Sequence, residues 1–454
     1  MTSPGDSALL TDLYELTMLH AYFREGMVAG AAFELFLHKR PEHRNFLIAA
    51  GLEQALDYLE NFHFTEEECR WLAETRRFDR AFIDELRRLR FTGDVYALPE
   101  GTVFFEKEPL LRIEAPLPEA QVVETRLINL LQLQSMIAAK AVRSRTAAPD
   151  KLLVDFGLRR AHGAEAGLYA ARACYIAGID GTSNVEAARV FDIPMFGTMA
   201  HSYVMAHADE TEAFLRYAEA QPDNIVLLID TYDTEQAARR VAKVADQLRT
   251  RGLSVRAVRL DSGDIAALAR SVRAILDAGG HPEIGIFVSS GLDEYELERL
   301  QRDGAPITGC GIGTKMLVSA DAPYLDCAYK LQEYAGIPRY KRSEGKITLP
   351  GRRQVYRSYT ALGRLDHDLI GLMDKPHPGE PLLVKVMHRG RRIDGRESLA
   401  AIRRRTESQI KRLPHEFLSM HDSVPSPIRI AGEIRALMDT ASASQPGETQ
   451  RSPV

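Results

Sequence analysis

Seven short apolar runs between residues 150 and 320 each end in a cluster of polar residues or glycines. The clusters supply Arg159 and Arg160; Thr182, Ser183 and Asn184; Thr198, His201 and Ser202; Asp230 and Asp233; Arg259, Asp261, Ser262 and Asp264; Ser289, Ser290 and Gly291; and Gly311, Gly313 and Thr314. Arginines hold phosphate or carboxylate through paired hydrogen bonds. Glycine-rich turns ahead of helices let backbone N–H groups approach a phosphate. Asp261 and Asp264 can hold sugar hydroxyls or a Mg²⁺ ion. His201 can serve as a general base, a nucleophile or a phosphate acceptor. Each residue alone has a plainer explanation: Asp, Ser, Thr and Asn cap helices, and a single histidine often fills a core. Their joint occurrence points to a phosphorylated sugar as substrate. The sequence has no Cys/His cluster for a transition metal and no GxSxG nucleophile elbow.

The elements that must carry these residues are legible from the spacing. The runs are "KLLVDFG", "CYIAGIDGTSN", "IPMFGTM", "NIVLLIDTYDT", "VRAVRLDSGD", "EIGIFVSSGLDE" and "ITGCGIGTK", recurring at steps of 19 to 32 residues from Val154 to Gly309 with helical pattern between them. Repeating strand–helix units imply a parallel sheet, whose ligands bind at the carboxyl ends of the strands. Seven units without a central reversal suit a closed or nearly closed barrel; an open doubly wound sheet is the alternative. Residues 8–118 mix helices and short strands, as an N-terminal α/β domain that C-terminal segments complete. "TDLYELTMLHAYFREG" reads as a helix capped at Thr11 or Asp12 and stopped by Gly26, and "AAFELFLHKRP" alternates as a strand. Residues 119–335 are the expected barrel domain, and 336–440 a segment packing on the other domains. The Ser/Pro/Gly-rich residues 441–454 read as a disordered tail.

Composition narrows the function further. The 454 residues are 45% hydrophobic and 27% charged, with a formal net charge of −5. That balance argues against a nucleic-acid partner. The four cysteines lack metal-ligand or disulfide spacing and read as reduced core thiols. The N-terminus has neither the basic flank nor the apolar core of a signal peptide, and no apolar stretch reaches the ~18 residues of a membrane span. A cytoplasmic protein with no membrane partner is expected.

Over residues 8–365 the chain resembles the nicotinate phosphoribosyltransferases. The motifs are "TDLYELTM", "DFGLRRAHGAEAG", "GTSN", "GTMAHS", "LLIDTYDT", "VRLDSGD" and "GIGTK", in the family's order. The resemblance implies an irregular TIM-like α/β barrel of the type II phosphoribosyltransferase kind with an additional N-terminal α/β domain. It implies synthesis of nicotinate mononucleotide from nicotinate and phosphoribosyl pyrophosphate, in NAD biosynthesis. It further implies ATP as co-substrate, Mg²⁺, ligase chemistry and a homodimer with shared active sites. His201 resembles the histidine that ATP phosphorylates, and Asp230 its orienting carboxylate. Arg159 and Arg259 match the arginines facing the pyridine acid and the phosphates, and Asp261 the carboxylate near the ribose. Thr198 lies beside the pyridine, on which Tyr14 stacks from the partner subunit. Gly313 and Thr314 resemble the 5-phosphate loop. Ser183, Ser202 and Gly291 complete the substrate-binding set.

Neighbouring readings differ at specific residues. Nicotinamide phosphoribosyltransferases carry Asp in a "GTD" turn, suited to an amide N–H₂. Here "GTSN" presents neutral Ser183, which does not repel a carboxylate. A quinolinate enzyme would need more cations for its diacid. A non-catalytic phosphosugar-binding barrel would bind without turnover. A Schiff-base aldolase lacks its lysine, because Lys315 lies inside the glycine loop.

Overall fold

The computed structural model describes residues 7–339, 341 and 349–443. The chain forms two compact units, residues 137–323 and residues 1–136 with 324–454. The divisions therefore fall at 136/137 and 323/324, not at 118/119 and 335/336. The expected tail begins inside a helix, Gly432–Ala443, and residues 444–454 lie outside the described residues.

The discontinuous unit is built on a seven-stranded antiparallel sheet. Its order is Ile337–Pro338, Cys327–Tyr334, Gly30–Leu37, Pro109–Pro116, Asp94–Ala97, Val384–His388, Arg391–Arg392. Both ends of the chain thus supply one sheet. The strand Gly30–Leu37 is buried at every residue after Gly30, so it does not alternate between core and solvent. Within it, Glu34 accepts hydrogen bonds from Arg353 Nε at 2.5 Å and from the Arg353 amide at 2.8 Å. Both side chains are sealed from solvent, so removing Glu34 strands a buried charge, at about 3–5 kcal/mol, while removing Arg353 leaves Glu34 the longer Arg112 contact at 3.7 Å. The helix Leu13–Glu25 follows Asp12 and ends at Gly26, whose φ of +66° favours glycine.

The other unit is a parallel barrel. Its strands are β1 (Leu152–Asp155), β2 (Gly181–Thr182), β3 (Val226–Leu228), β4 (Ala257–Leu260), β5 (Gly285–Val288) and β6 (Gly309–Ile312), in the order β2-β1-β6-β5-β4-β3. Every neighbouring pair is parallel. A seventh, irregular segment bridges the two edges. On one side Thr182 forms a parallel bridge with Met195. On the other, Thr198 Oγ1 donates to the Val226 carbonyl at 2.7 Å and Asn224 Nδ2 donates to the Gly197 carbonyl at 2.9 Å. Side chains there replace a backbone ladder. The approach is close enough that a Cβ on Gly181 would lie 2.4 Å from the Pro194 carbonyl oxygen. Val154, Leu228, Val258, Ile286 and Val288 are fully buried inside the unit.

One run is misread from its sequence. "CYIAG" ends the helix Ala164–Ile176, with Ala177 as its C-terminal cap, and the strand proper is only Gly181–Thr182. A short apolar run cannot be told from a buried helix end by periodicity alone. All four cysteines are free thiols, three buried and Cys327 partly so. Burial pushes the Cys310 and Cys327 thiols up to about 12. No helix of the described residues is long and apolar enough to cross a membrane.

Candidate active site

The polar residues collect at the carboxyl ends of the barrel strands. Arg259 leans from β4 and is fixed on every side. Its Nε donates to Ser289 Oγ at 2.9 Å, Nη1 donates to the Met199 carbonyl at 3.1 Å, and Nη2 lies 3.1 Å from Asp261 Oδ2. The Phe156 ring lies 5.7 Å from its guanidinium carbon. Phe156 needs the bare backbone of Gly311, where a Cβ would meet the ring at 2.5 Å. Packing of this ring therefore requires glycine at 311. Ser289, 3% exposed, also donates to Asp261 Oδ1 at 2.6 Å. Arg259, Ser289 and Asp261 form one rigid hydrogen-bonded group.

His201 opens a short helix, His201–Met205, with Ser202 exposed beside it. Its Nε2 stands 3.8 Å from Asp261 Oδ2, and its Nδ1 is 3.1 Å from Thr231 Oγ1. Asp230 does not orient the ring, contrary to the expectation from the resemblance. Asp230 Oδ2 instead accepts from the Asp261 amide at 2.8 Å and from Ser262 Oγ at 2.6 Å. A carboxylate at a strand end next to such amides is drawn to their N–H groups, and the neighbouring hydroxyl takes the histidine. Asp230 Oδ1 is buried without a hydrogen-bond partner.

The remaining candidates divide into free and engaged groups. Arg159, in the turn Leu158–Arg160, is exposed, while Arg160 donates to Thr314 Oγ1 at 3.0 Å. Thr314 follows Gly313, which opens the helix Thr314–Leu317. Lys315 Nζ pairs with Asp293 Oδ2 at 2.7 Å. Thr198 spends its hydroxyl on the barrel seam. Ser183 follows β2, and its amide donates to the Asp155 carbonyl at 2.8 Å. Ser290 and Gly291 follow β5 with φ of +84° and +66°; for serine this costs about 1–3 kcal/mol and marks a constrained loop. Asp264, Asp233 and Asn184 cap the helices that follow them. For these three the plainer reading holds. Tyr14 belongs to the discontinuous unit, on the helix Leu13–Glu25, and is 46% exposed. Burial of its inner part and the nearby Glu124 and Glu15 raise its phenol pKa.

Three residues outside the strand-end candidates take part in this geometry, Thr231, Phe156 and Asp155, together with Ser289, which is among them. Ser289 and Thr231 sit in strand-end motifs, which is a usable signal. The role of Phe156 depends on Gly311, 155 positions later, and has no local signature. Asp155 ends β1 and is 1% exposed. Burial pushes its pKa up to about 6, against the hydrogen bonds from Thr182 and the Gly157 amide. Among the described residues no three His, Cys, Asp or Glu side chains form a metal-binding group.

A parallel barrel gathering His, Asp, Arg and glycine turns at one mouth, in a chain that also carries a separate α/β unit, is a type II phosphoribosyltransferase fold. Two family models match: the nicotinate phosphoribosyltransferase (NAPRTase) N-terminal domain over residues 9–132, and the nicotinate phosphoribosyltransferase (NAPRTase) family over residues 152–337. The chain is 46% identical to the nicotinate phosphoribosyltransferase pncB2 of Mycobacterium tuberculosis, over 96% of this chain and 95% of the relative. It is 41% identical to the Bacillus subtilis nicotinate phosphoribosyltransferase, over 77% of this chain and 73% of the relative. The crystal structure of human nicotinic acid phosphoribosyltransferase matches with a TM-score of 0.85 at 29% identity, over 95% of this chain and 99% of that one. The Pyrococcus furiosus nicotinate-nucleotide pyrophosphorylase structure matches at 0.74 and 25% identity, over 91% and 97%. This chain belongs to the nicotinate phosphoribosyltransferase family.

Proposed function

We propose that the protein makes nicotinate mononucleotide, a step of NAD biosynthesis, and couples it to ATP hydrolysis through phosphorylation of His201. The pyridine nitrogen of nicotinate attacks the anomeric carbon of phosphoribosyl pyrophosphate, the bond to the pyrophosphate oxygen breaks, and pyrophosphate leaves. Positive charge develops on the ribose, and a preorganised carboxylate beside it stabilises that state. Asp261 suits this task, because Ser289 and Arg259 fix both its oxygens. Arg259 is a fixed cation for the phosphates. Arg159, exposed, and neutral Ser183 suit the pyridine carboxylate. In the coupled step an imidazole nitrogen attacks the γ-phosphorus of ATP and ADP leaves. The observation that carries this reading is the grouping of His201, Asp261 and Arg259 within hydrogen-bond or ion-pair range at one barrel mouth.

Mg²⁺ fits the site through one carboxylate and the substrate's own phosphates, its usual mode. Asp230 Oδ1, buried and unpartnered, is the oxygen that would receive it. Bound there, the ion would neutralise pyrophosphate charge. Tyr14 would stack on the pyridine from a second subunit of a homodimer, and the enzyme would work in the cytoplasm.

Incubation with Mg-ATP tests the coupling. An acid-labile, base-stable phosphate is expected on the protein, lost in His201→Asn, with some ATP-independent synthesis retained. Full ATP-stimulated turnover in His201→Asn would overturn the phosphohistidine. Mixing Tyr14→Ala with His201→Ala subunits, neither with ATP-stimulated turnover, is expected to restore that turnover in heterodimers; no recovery after verified exchange excludes a shared site.

A further inference from the structure

Asp155 is a buried carboxylate with no ion-pair partner among the described residues, and its two oxygens bond to the turn after β1 and to the last residue of β2. Its Oδ1 accepts from the Gly157 amide at 2.8 Å, at the start of the turn that carries Arg159. Its Oδ2 accepts from Thr182 Oγ1 at 2.7 Å. Thr182 Oγ1 in turn accepts from the Asn184 amide at 3.0 Å. The Asp155 carbonyl accepts from the amide of Ser183, between them. One residue therefore ties the loop bearing Arg159 to the loop bearing Ser183. Burying a carboxylate without a cation opposes folding. What Asp155 supplies is geometry: two charge-assisted hydrogen bonds of fixed direction, which no apolar residue could make.

We infer that Asp155 is a positioning residue for the acid-binding end of the site, setting the spacing between Arg159 and Ser183 through the Gly157 and Thr182 bonds. The inference rests on the proposed use of those two residues for the pyridine carboxylate. Asp155 touches no substrate; it acts through the two loops. Ser183 and Arg159 lie just beyond the paired ends of β1 and β2, where the ladder no longer holds the chain, so losing the tie weakens capture of the pyridine and not of the phosphosugar. At metal sites, partners that orient a ligating residue change affinity by about 10–100-fold when removed, and an effect of that order is the expectation for this tie.

Asp155→Ala, Thr182→Val and the conservative Asp155→Asn test this, with KM measured separately for nicotinate and for phosphoribosyl pyrophosphate. Amide hydrogen exchange of residues 156–163 and 182–186 is followed in the same proteins. Asp155→Ala is expected to raise the nicotinate KM about 10-fold or more, with the phosphoribosyl pyrophosphate KM within about 2-fold. Exchange should quicken in both loops together. Asp155→Asn keeps an acceptor for Gly157 and can donate to Thr182, so it should recover most of the loss. If Asp155→Ala does not fold, Thr182→Val cuts the second link, together with the Asn184 amide bond, and leaves the Gly157 bond in place; it should show the same split. An unchanged nicotinate KM, or equal rises in both KM values, overturns the positioning role. A wild-type protein that does not use nicotinate overturns the proposed function instead. The tie is then judged by exchange, and quickening in one loop or neither overturns it.

Discussion

The imidazole of His201 has one fixed hydrogen-bond partner, the Thr231 hydroxyl at 3.1 Å, while Asp261 at 3.8 Å is too long for a hydrogen bond. A hydroxyl on Nδ1 sets the ring's orientation, and because it can donate or accept it serves either tautomer. Thr231→Val is expected to cut ATP-stimulated turnover about 10-fold or more, leave ATP-independent synthesis within about 2-fold, and be rescued by Thr231→Ser. Equal loss of both rates would show that the hydroxyl only supports the fold. At this scale much of the site is legible in sequence. His201, Arg259 and Asp261 sit where residue type and strand-end position put them. What the sequence does not show is partner choice. Asp230 and Thr231 are adjacent, both can bond an imidazole, and only the path of the backbone decides that the threonine does. The capping of Asp264, Asp233 and Asn184 is equally local and was the plainer expectation for each.

The barrel seam is the element on which this mouth depends. It has no ladder of backbone bonds between residues 195–198 and β3, only the Thr198 and Asn224 side-chain bonds. On the opposite side Gly181 lies against the Pro194 backbone and the Phe196 ring, and a Cβ would meet them at 2.4 and 2.5 Å. A backbone oxygen cannot swing away as a side-chain tip can. Gly181→Ala is therefore expected to destabilise the protein by about 1–3 kcal/mol and to weaken catalysis, because His201 and Ser183 flank the seam in sequence. A thermal denaturation midpoint equal to wild type would show that the seam accommodates a methyl group. The parallel strands are readable because each is a local apolar run closed by a polar turn. The seven-stranded sheet is not, because its pairings join distant residues such as Phe33 with Leu331.

At the scale of the whole molecule, buried carboxyls make stability depend on pH. Glu15 is fully buried on the helix Leu13–Glu25. Burial raises its pKa to about 7, opposed by the hydrogen bond from Gln121 and reinforced by Glu124. The folded state thus holds a proton that the unfolded state releases near 4.5. Stability falls as pH rises through the interval up to about 7, and the full loss remains above it. Asp155 contributes with the same sign between 3.8 and about 6. In Glu15→Gln the thermal midpoint should gain on wild type steadily from pH 5 to about pH 7 and hold a constant lead above it; parallel curves throughout would remove Glu15 from the effect. The family assignment and the mouth of the barrel converge on transfer of a phosphoribosyl group to a pyridine acid. The most direct test is kcat/KM of the purified protein with phosphoribosyl pyrophosphate and Mg²⁺, comparing nicotinate, nicotinamide and quinolinate, each with and without ATP. Nicotinate should be preferred over nicotinamide by at least ~10²-fold, since the amide forfeits an arginine–carboxylate pair and each ~1.4 kcal/mol is tenfold; equal kcat/KM for the acid and the amide would contradict the proposed function.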